Sequence, residues 1–157
     1  MACVPLSQAV IAEYATSGYH TGRMEVGAGM KILVMGSGAV GGYFGGVLQR
    51  AGHEVVFIAR GSHREAIEQS GLKIESNAAG SFAVQASALE RPAAHWTAEL
   101  VLYCVKGYDN ETAVPLIGPA VGDHTSILTL QNGMGGGDAL AAVYGSDKVL
   151  LGVTHID

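Results

Sequence analysis

A glycine-rich segment near the start of the chain has the spacing of a phosphate-binding loop. Gly36, Gly38 and Gly41 form the pattern G-x-G-x-x-G, which becomes specific in context because an apolar strand-like run precedes it and a helical pattern follows. The first glycine permits a tight turn, the second lets the backbone approach a pyrophosphate, and the third lets the helix pack on the sheet. We therefore expect a dinucleotide to bind at this helix N-terminus, through Gly36, Ser37, Gly38, Ala39, Val40 and Gly41.

The end of the second predicted strand indicates which dinucleotide the loop prefers. Proteins that bind NAD usually carry an Asp or Glu there, which accepts hydrogen bonds from the ribose 2′-hydroxyl. This chain has Ala59 in that position, followed by Arg60, whose guanidinium can bind a 2′-phosphate through two charge-assisted hydrogen bonds. Arg64 adds positive charge one helical turn later. The pattern favours NADP(H) as the cofactor; the alternative is that Arg60 is a solvated loop residue.

Predicted strands and helices alternate along the chain, and these elements position the glycine loop and Arg60. We predict strands at 31–35, 54–58, 100–105, 126–130 and 149–153, helices at 39–51, 63–69, 112–117 and 138–144, and a small hairpin with arms at 72–75 and 82–85. Such alternation predicts an α/β fold of the Rossmann type, with a doubly wound, mostly parallel sheet and helices on both faces. Residues 30–157 are predicted to form this one domain, and residues 1–29 a disordered leader or extension.

The composition limits the classes of function. Hydrophobic residues make up 48% and charged residues 15% of the chain, as expected for a sheet buried on both faces, and the net charge of −5 argues against a nucleic-acid partner. The two cysteines and six histidines lack the spacing of a disulfide framework or metal site. No apolar run approaches the ~18 residues of a membrane span. We expect a cytoplasmic protein without a metal, in which Cys104 is a buried apolar residue and not a reactive thiol.

Four ordered segments resemble the ketopantoate reductase (2-dehydropantoate 2-reductase) family. They are MKILVMGSGAVGGYFGG at 30–46, FIAR at 57–60, CVKGYD at 104–109 and LQNGMG at 130–135. The resemblance extends from residue 30 to the end of the chain and covers the family's N-terminal NADP-binding domain. It implies NADPH-dependent reduction of 2-dehydropantoate to pantoate, a step of pantothenate biosynthesis.

The resemblance also implies roles for residues beyond the glycine loop. It makes Arg60 the ligand of the 2′-phosphate, and it places Lys106 and Asn132 near the nicotinamide ribose and the substrate. Both of the latter follow predicted strands, where ligands of doubly wound sheets bind. A lysine can attract a carboxylate or stabilise charge on a carbonyl oxygen, and an amide can bond a hydroxyl. The alternatives are a solvated strand-end lysine and an Asn-Gly turn. Glycines at 135–137 depart from the family's usual polar residues, which leaves that loop's contacts open.

The family's other functional groups are expected outside this sequence. Family members continue into a helical C-terminal domain that supplies the catalytic lysine, a glutamate and most of the substrate pocket. We therefore assign no catalytic residue here and expect the 157 residues alone to be inactive. The resemblance implies a small 2-oxo acid substrate as partner, and a second copy in a homodimer is an alternative that the sequence leaves open. The alternatives are a related reductase with another 2-oxo acid or carbonyl substrate, and a non-catalytic NADP(H)-binding module.

Overall fold

The computed structural model of the chain describes residues 29–76, 80–131 and 135–154. In chain order the strands are β1 (Lys31–Met35), β2 (Glu54–Ile58), β3 (Leu72–Ile74), β4 (Phe82–Val84), β5 (Ser87–Leu89), β6 (Ala98–Tyr103), β7 (Val121–Thr129) and β8 (Val149–Leu151). The helices are α1 (Ala39–Arg50), α2 (Gly61–Ser70), α3 (Asn110–Leu116) and α4 (Gly136–Tyr144). The predicted leader falls outside the described residues except for Gly29. None of the helices described is long and apolar enough to cross a membrane.

Six of the strands form one parallel sheet in the order β5-β2-β1-β6-β7-β8. Numbered within the sheet alone, this order is 3-2-1-4-5-6, the arrangement of Rossmann-type domains. The order reverses between β1 and β6, and ligands of such sheets bind beyond the carboxyl ends of the strands at that switch point. The predicted fold class is therefore confirmed, and β3 and β4 form the predicted antiparallel hairpin.

Both faces of the sheet are buried, which explains the continuous apolar runs of its central strands. In β1 only Lys31 is exposed. Because successive side chains point to opposite faces, Ile32 and Val34 join a core with α1, α2 and the hairpin. Leu33 and Met35 join a second core with α3 and α4. Helices therefore cover both faces, as a doubly wound fold requires.

Glycines let α1 lie close to its neighbours. A Cβ on Gly45 would lie 2.5 Å from a ring carbon of Phe57 in β2, and one on Gly46 would lie 2.5 Å from Cδ1 of Ile74 in β3. Larger residues at these positions would push the helix away from the sheet or from the hairpin. This close packing holds the N-terminus of α1 at the carboxyl end of β1.

The structure corrects two strands of the sequence analysis. β5 was missed, because a strand of three residues in which only Ala88 is fully buried has no recognisable pattern. β6 starts at Ala98 and ends at Tyr103, so Cys104 and Val105 belong to the loop that follows and not to the strand. The shift matters for function because the loop, and not the strand, leads into the predicted site residue at 106.

Other predicted boundaries move by a few residues. α2, α3 and α4 each begin two residues before the predicted start, and no side chain forms a capping hydrogen bond at any of these three N-termini. β7 extends back to Val121, which pairs with Ala98 across an irregular register. β8 ends at Leu151, two residues earlier than predicted.

Candidate functional site

The connection between β1 and α1 is a tight glycine turn, as the sequence analysis predicted. Gly36 has a φ of +97°, a conformation that glycine adopts without the cost other residues incur. A Cβ at this residue would also lie 2.9 Å from Cγ1 of Val105. Inside α1, a Cβ on Gly41 would collide with the carbonyl oxygen of Gly36 and lie 3.0 Å from Cγ1 of Val34. The fold itself therefore requires glycine at these two positions.

Gly38 differs, because nothing in the described protein requires a glycine there. Its φ of −71° is ordinary for any residue, and an added Cβ would meet no atom within 4 Å. It precedes the first turn of α1, which has neither a capping side chain nor an acidic residue. The unpaired N–H groups and the positive end of the helix dipole thus face open space. This arrangement fits a pyrophosphate lying against the backbone.

A cleft of about 370 Å³ opens beside this loop, a volume within the range of small-molecule sites. Its walls come from the loop, the exposed side of α1, the start of α2 and the β3 arm of the hairpin, with Ser37, Gly38, Tyr43, His63 and Lys73 among the lining residues. Nε2 of His63 donates a hydrogen bond to the carbonyl oxygen of Ser37 at 3.0 Å. His63, which the sequence analysis did not single out, therefore ties α2 to the phosphate loop.

Arg60 lies at the end of β2 with its side chain 71% exposed. Ala59 before it is buried in the core and donates its backbone N–H to Leu89 in β5, so this strand end presents no carboxylate. Nη2 of Arg60 lies 4.0 Å from Oδ1 of Asp109. Asp109 belongs to a short 3₁₀ turn, Gly107–Asp109, that follows β6, and the sequence analysis gave it no role.

Lys106 opens that same 3₁₀ turn and is exposed. Its carbonyl oxygen accepts the backbone N–H of Asp109 at 2.9 Å. Among the described residues, no hydrogen bond or ion pair occupies its ammonium group. The structure thus places an accessible positive charge beyond β6, next to the switch point of the sheet. Asn132, the other predicted substrate residue, lies outside the described residues.

A buried hydrogen-bond network joins the loops after β6 and β7. Nε2 of Gln131 donates to the carbonyl oxygen of Val105 at 2.8 Å and to Oδ1 of Asn110 at 2.7 Å. The Tyr103 hydroxyl donates to the same Asn110 oxygen at 3.2 Å. Burial, followed by the neighbouring Tyr144 and Asp109, raises the pKa of the Tyr103 phenol, which therefore remains a donor at neutral pH. Gln131 thus connects the backbone just before Lys106 with the start of the loop after β7.

The oxygen of the Gln131 amide explains why α4 has a glycine at residue 136. Oε1 of Gln131 is buried without a hydrogen-bond partner among the described residues, and a Cβ on Gly136 would collide with it. The glycine at 136, one of those that depart from the family pattern, therefore leaves room for the Gln131 side chain. The motif LQNGMG contained Gln131, but nothing in the sequence indicated which contacts it makes.

Cys104 is partly buried against the core. Burial raises the pKa of its thiol from 9.0 to about 12. The thiol is therefore protonated near neutral pH and is a poor nucleophile. This agrees with the interpretation of Cys104 as a small apolar residue.

The strand order and the glycine loop leading into an uncapped helix at the switch point define a Rossmann-type dinucleotide-binding domain. The sequence profile described as "Ketopantoate reductase PanE/ApbA" matches residues 32–157. The chain therefore belongs to the ketopantoate reductase family. The enzymes of this family are NAD(P)-dependent oxidoreductases that act on a small keto acid.

Relatives with assigned activities match the same region. The chain is 37% identical over 107 residues to a 2-dehydropantoate 2-reductase of Mesorhizobium japonicum, covering 67% of this chain and 32% of that protein. It is 32% identical over 123 residues to a 2-dehydropantoate 2-reductase of Aquifex aeolicus, covering 78% of this chain and 38% of that protein. The chain thus spans about a third to two fifths of the length of these relatives.

Solved structures give the same assignment. The 2-dehydropantoate 2-reductase of Geobacter metallireducens superposes with a TM-score of 0.73 at 38% identity, over 79% of this chain and 41% of that one. D-mandelate dehydrogenase in complex with NADH and anilino(oxo)acetate superposes with a TM-score of 0.72 at 24% identity, over 79% of this chain and 40% of that one. The second comparison supports the fold alone.

Proposed function

We propose that this chain is the NADP(H)-binding domain of a reductase that converts 2-dehydropantoate to pantoate. The observation that carries the cofactor choice is the end of β2, where Ala59 is buried and the exposed Arg60 follows it. A carboxylate at this strand end would repel a 2′-phosphate, whereas the guanidinium can bind it. The relatives' names, 2-dehydropantoate 2-reductase, support the substrate.

The residues present fit this cofactor in distinct roles. The uncapped N-terminus of α1 would hold the pyrophosphate above Gly38, and Arg60 the 2′-phosphate. Lys106, exposed beyond β6, would attract the carboxylate of a 2-oxo acid and stabilise negative charge that develops on the carbonyl oxygen. When bound, the cofactor supplies the hydride for the 2-oxo carbon. The full proposed set for the cofactor is Gly36, Ser37, Gly38, Ala39, Val40, Gly41, Arg60, Lys106 and Asn132, of which Lys106 and Asn132 also bind the substrate.

Other parts of the proposal rest on the resemblance in sequence. The group that protonates the carbonyl oxygen is proposed to come from the family's helical domain and not from the described residues. The division into an extension at 1–29 and a cofactor domain at 30–157 stays a prediction. So do the homodimer and the cytoplasmic location.

One observation favours a second candidate, a reductase of another 2-oxo acid. Lys106, exposed beyond β6, would serve any 2-oxo acid, since its charge recognises the carboxylate and not the rest of the molecule. Arg60 favours NADP(H) as the cofactor of this candidate as well.

Titration of the chain with NADPH and NADH tests the proposal. We expect NADPH to bind more tightly, and Arg60→Ala to weaken NADPH alone by roughly 1.5–3 kcal/mol, the contribution of a charged hydrogen-bonding partner. Arg50→Ala is the matched control, because it removes an arginine from the C-terminus of α1, about 17 Å along the helix from the proposed pyrophosphate site at ~1.5 Å per residue. Equal affinities for the two cofactors in the unmodified chain would overturn the NADP(H) assignment.

A further inference from the structure

Arg60 and Asp109 face each other across the carboxyl end of β1. Arg60 follows β2 and Asp109 lies in the turn after β6, and these two strands flank β1 in the sheet. Neighbouring strands are about 4.8 Å apart, so the arginine side chain is long enough to reach over β1 towards the other side. The pair therefore crosses the crevice that begins at Gly36, where the proposed cofactor must lie.

The backbone of Asp109 is held by contacts that do not involve Arg60. Its N–H donates to the carbonyl oxygen of Lys106 at 2.9 Å, and its carbonyl oxygen accepts the Thr112 hydroxyl at 3.1 Å. The 3₁₀ turn thus presents the carboxylate to the crevice. Its side chain is 34% exposed, against 71% for Arg60, so the arginine is less enclosed by the protein than its partner.

We propose that Asp109 sets the strength of the preference for NADP(H), by competing with the 2′-phosphate for Arg60. The inference rests on the proposed function and assigns a specificity role within the same site. A phosphate monoester carries about −1.5 to −2 charges near neutral pH. A phosphate bound to Arg60 lies in the field of the Asp109 carboxylate and must displace it from the guanidinium.

The same carboxylate has little effect on NADH. A ribose 2′-hydroxyl is neutral, so the carboxylate does not repel it, and it does not compete strongly for the guanidinium of Arg60. Arg60 alone would produce a large difference in affinity between NADPH and NADH, and Asp109 makes that difference smaller. Removing its charge widens that difference by strengthening NADPH binding only.

Cofactor titration of the Asp109→Asn variant tests this role. The ion pair is solvent-exposed and weak. Removing the charge ends both the competition of Asp109 for Arg60 and its repulsion of the 2′-phosphate, so we expect the NADPH affinity to rise about three- to tenfold. The NADH affinity should change less than twofold. Asp109→Ser is a second variant, which removes the charge without introducing an amide that could hydrogen-bond to Arg60. We expect it to raise the NADPH affinity by the same factor. Glu111→Gln is the matched control: it removes an exposed charge from the first turn of α3 that forms no ion pair with Arg60 among the described residues, and we expect both affinities to stay within about twofold.

The experiment separates this inference from the function on which it rests. In an Arg60→Ala background, Asp109→Asn should raise the NADPH affinity by a smaller factor than in the unmodified chain, because it then removes only the repulsion between Asp109 and the phosphate and no competition for Arg60. If the unmodified chain prefers NADPH but Asp109→Asn leaves or lowers its NADPH affinity, the inference is wrong and the proposed function stands. If the unmodified chain binds neither cofactor, both are wrong.

Discussion

Gly38 and Gly41 are both glycines, but each position lacks a side chain for a different physical reason. A side chain on Gly41 would meet the Gly36 carbonyl oxygen, so that residue serves the packing of α1 against the turn. A side chain on Gly38 would project into open space. Two substitutions in one loop can therefore separate folding from cofactor binding.

We predict that Gly38→Val abolishes NADPH binding and leaves the fold unchanged. The branched side chain would occupy the space proposed for the pyrophosphate, while the free energy of unfolding should change by less than ~1 kcal/mol because its Cβ meets no protein atom within 4 Å. Gly41→Val should instead cost roughly 1–3 kcal/mol or more through overpacking. Denaturant unfolding and cofactor titration of both variants check this. Retained binding by a folded Gly38→Val chain would show that the loop is only a structural turn.

At the scale of elements, the start of α4 depends on a side chain from the loop after β7. The Gln131 amide bridges that loop to the loop carrying Lys106, and its oxygen occupies the space beside Gly136. A neighbouring glycine has a different environment. The atoms nearest to a Cβ on Gly137 belong to the side chain of Leu151, which is 77% exposed and can move.

We predict that Gly136→Ala destabilises the protein by about 1–3 kcal/mol, although alanine normally favours a helix over glycine. Gly137→Ala is the control in the same helix and should be neutral or stabilising. In a Gln131→Ala background the cost of Gly136→Ala should fall, because the obstructing oxygen is gone. Urea unfolding of the four variants measures the coupling. Additive costs would mean that Gln131 and Gly136 do not share this space.

The whole molecule buries several groups that are neutral in the folded state. Burial is the main cause of the raised pKa values of Tyr103, Cys104 and Tyr144. In the unfolded chain these groups ionise at ordinary pKa values of 10.0, 9.0 and 10.0. Above those values the folded state retains protons that the unfolded state has lost, so the free energy of unfolding falls as the pH rises.

We predict a progressive loss of stability above about pH 9, and a shallower loss in Tyr103→Phe. At pH 7 this variant should be less stable by about 1 kcal/mol, since it lacks the hydrogen bond from the Tyr103 hydroxyl to Asn110. This deficit in the free energy of unfolding should shrink at pH 11. The folded unmodified chain must keep the Tyr103 phenol protonated at that pH, which costs stability, and the variant has no phenol at this position. Urea unfolding at both pH values gives the comparison. An equal deficit at both would contradict a raised pKa for Tyr103.

The sequence by itself determined the features that depend on neighbours along the chain. The loop from Gly36 to Gly41 could be recognised because its glycines stand between a strand and a helix that are themselves local patterns. Arg60 could be proposed as the ligand of a 2′-phosphate because the residues just after the second strand of such a fold contact the ribose 2′ position. The alternation of strands and helices was sufficient for the doubly wound class, although the three-residue β5 was too short to show.

Only the tertiary structure decided which distant residues meet. Asp109 faces Arg60 because the sheet order places β1 between β2 and β6, and that order follows from burying both faces of the whole sheet. Gln131 meets Val105 because β6 and β7 are adjacent parallel strands that end at the same edge of the sheet. Contacts of this kind leave no periodic pattern in the sequence, since the partners lie in separate loops and are joined only by the packing of the complete domain.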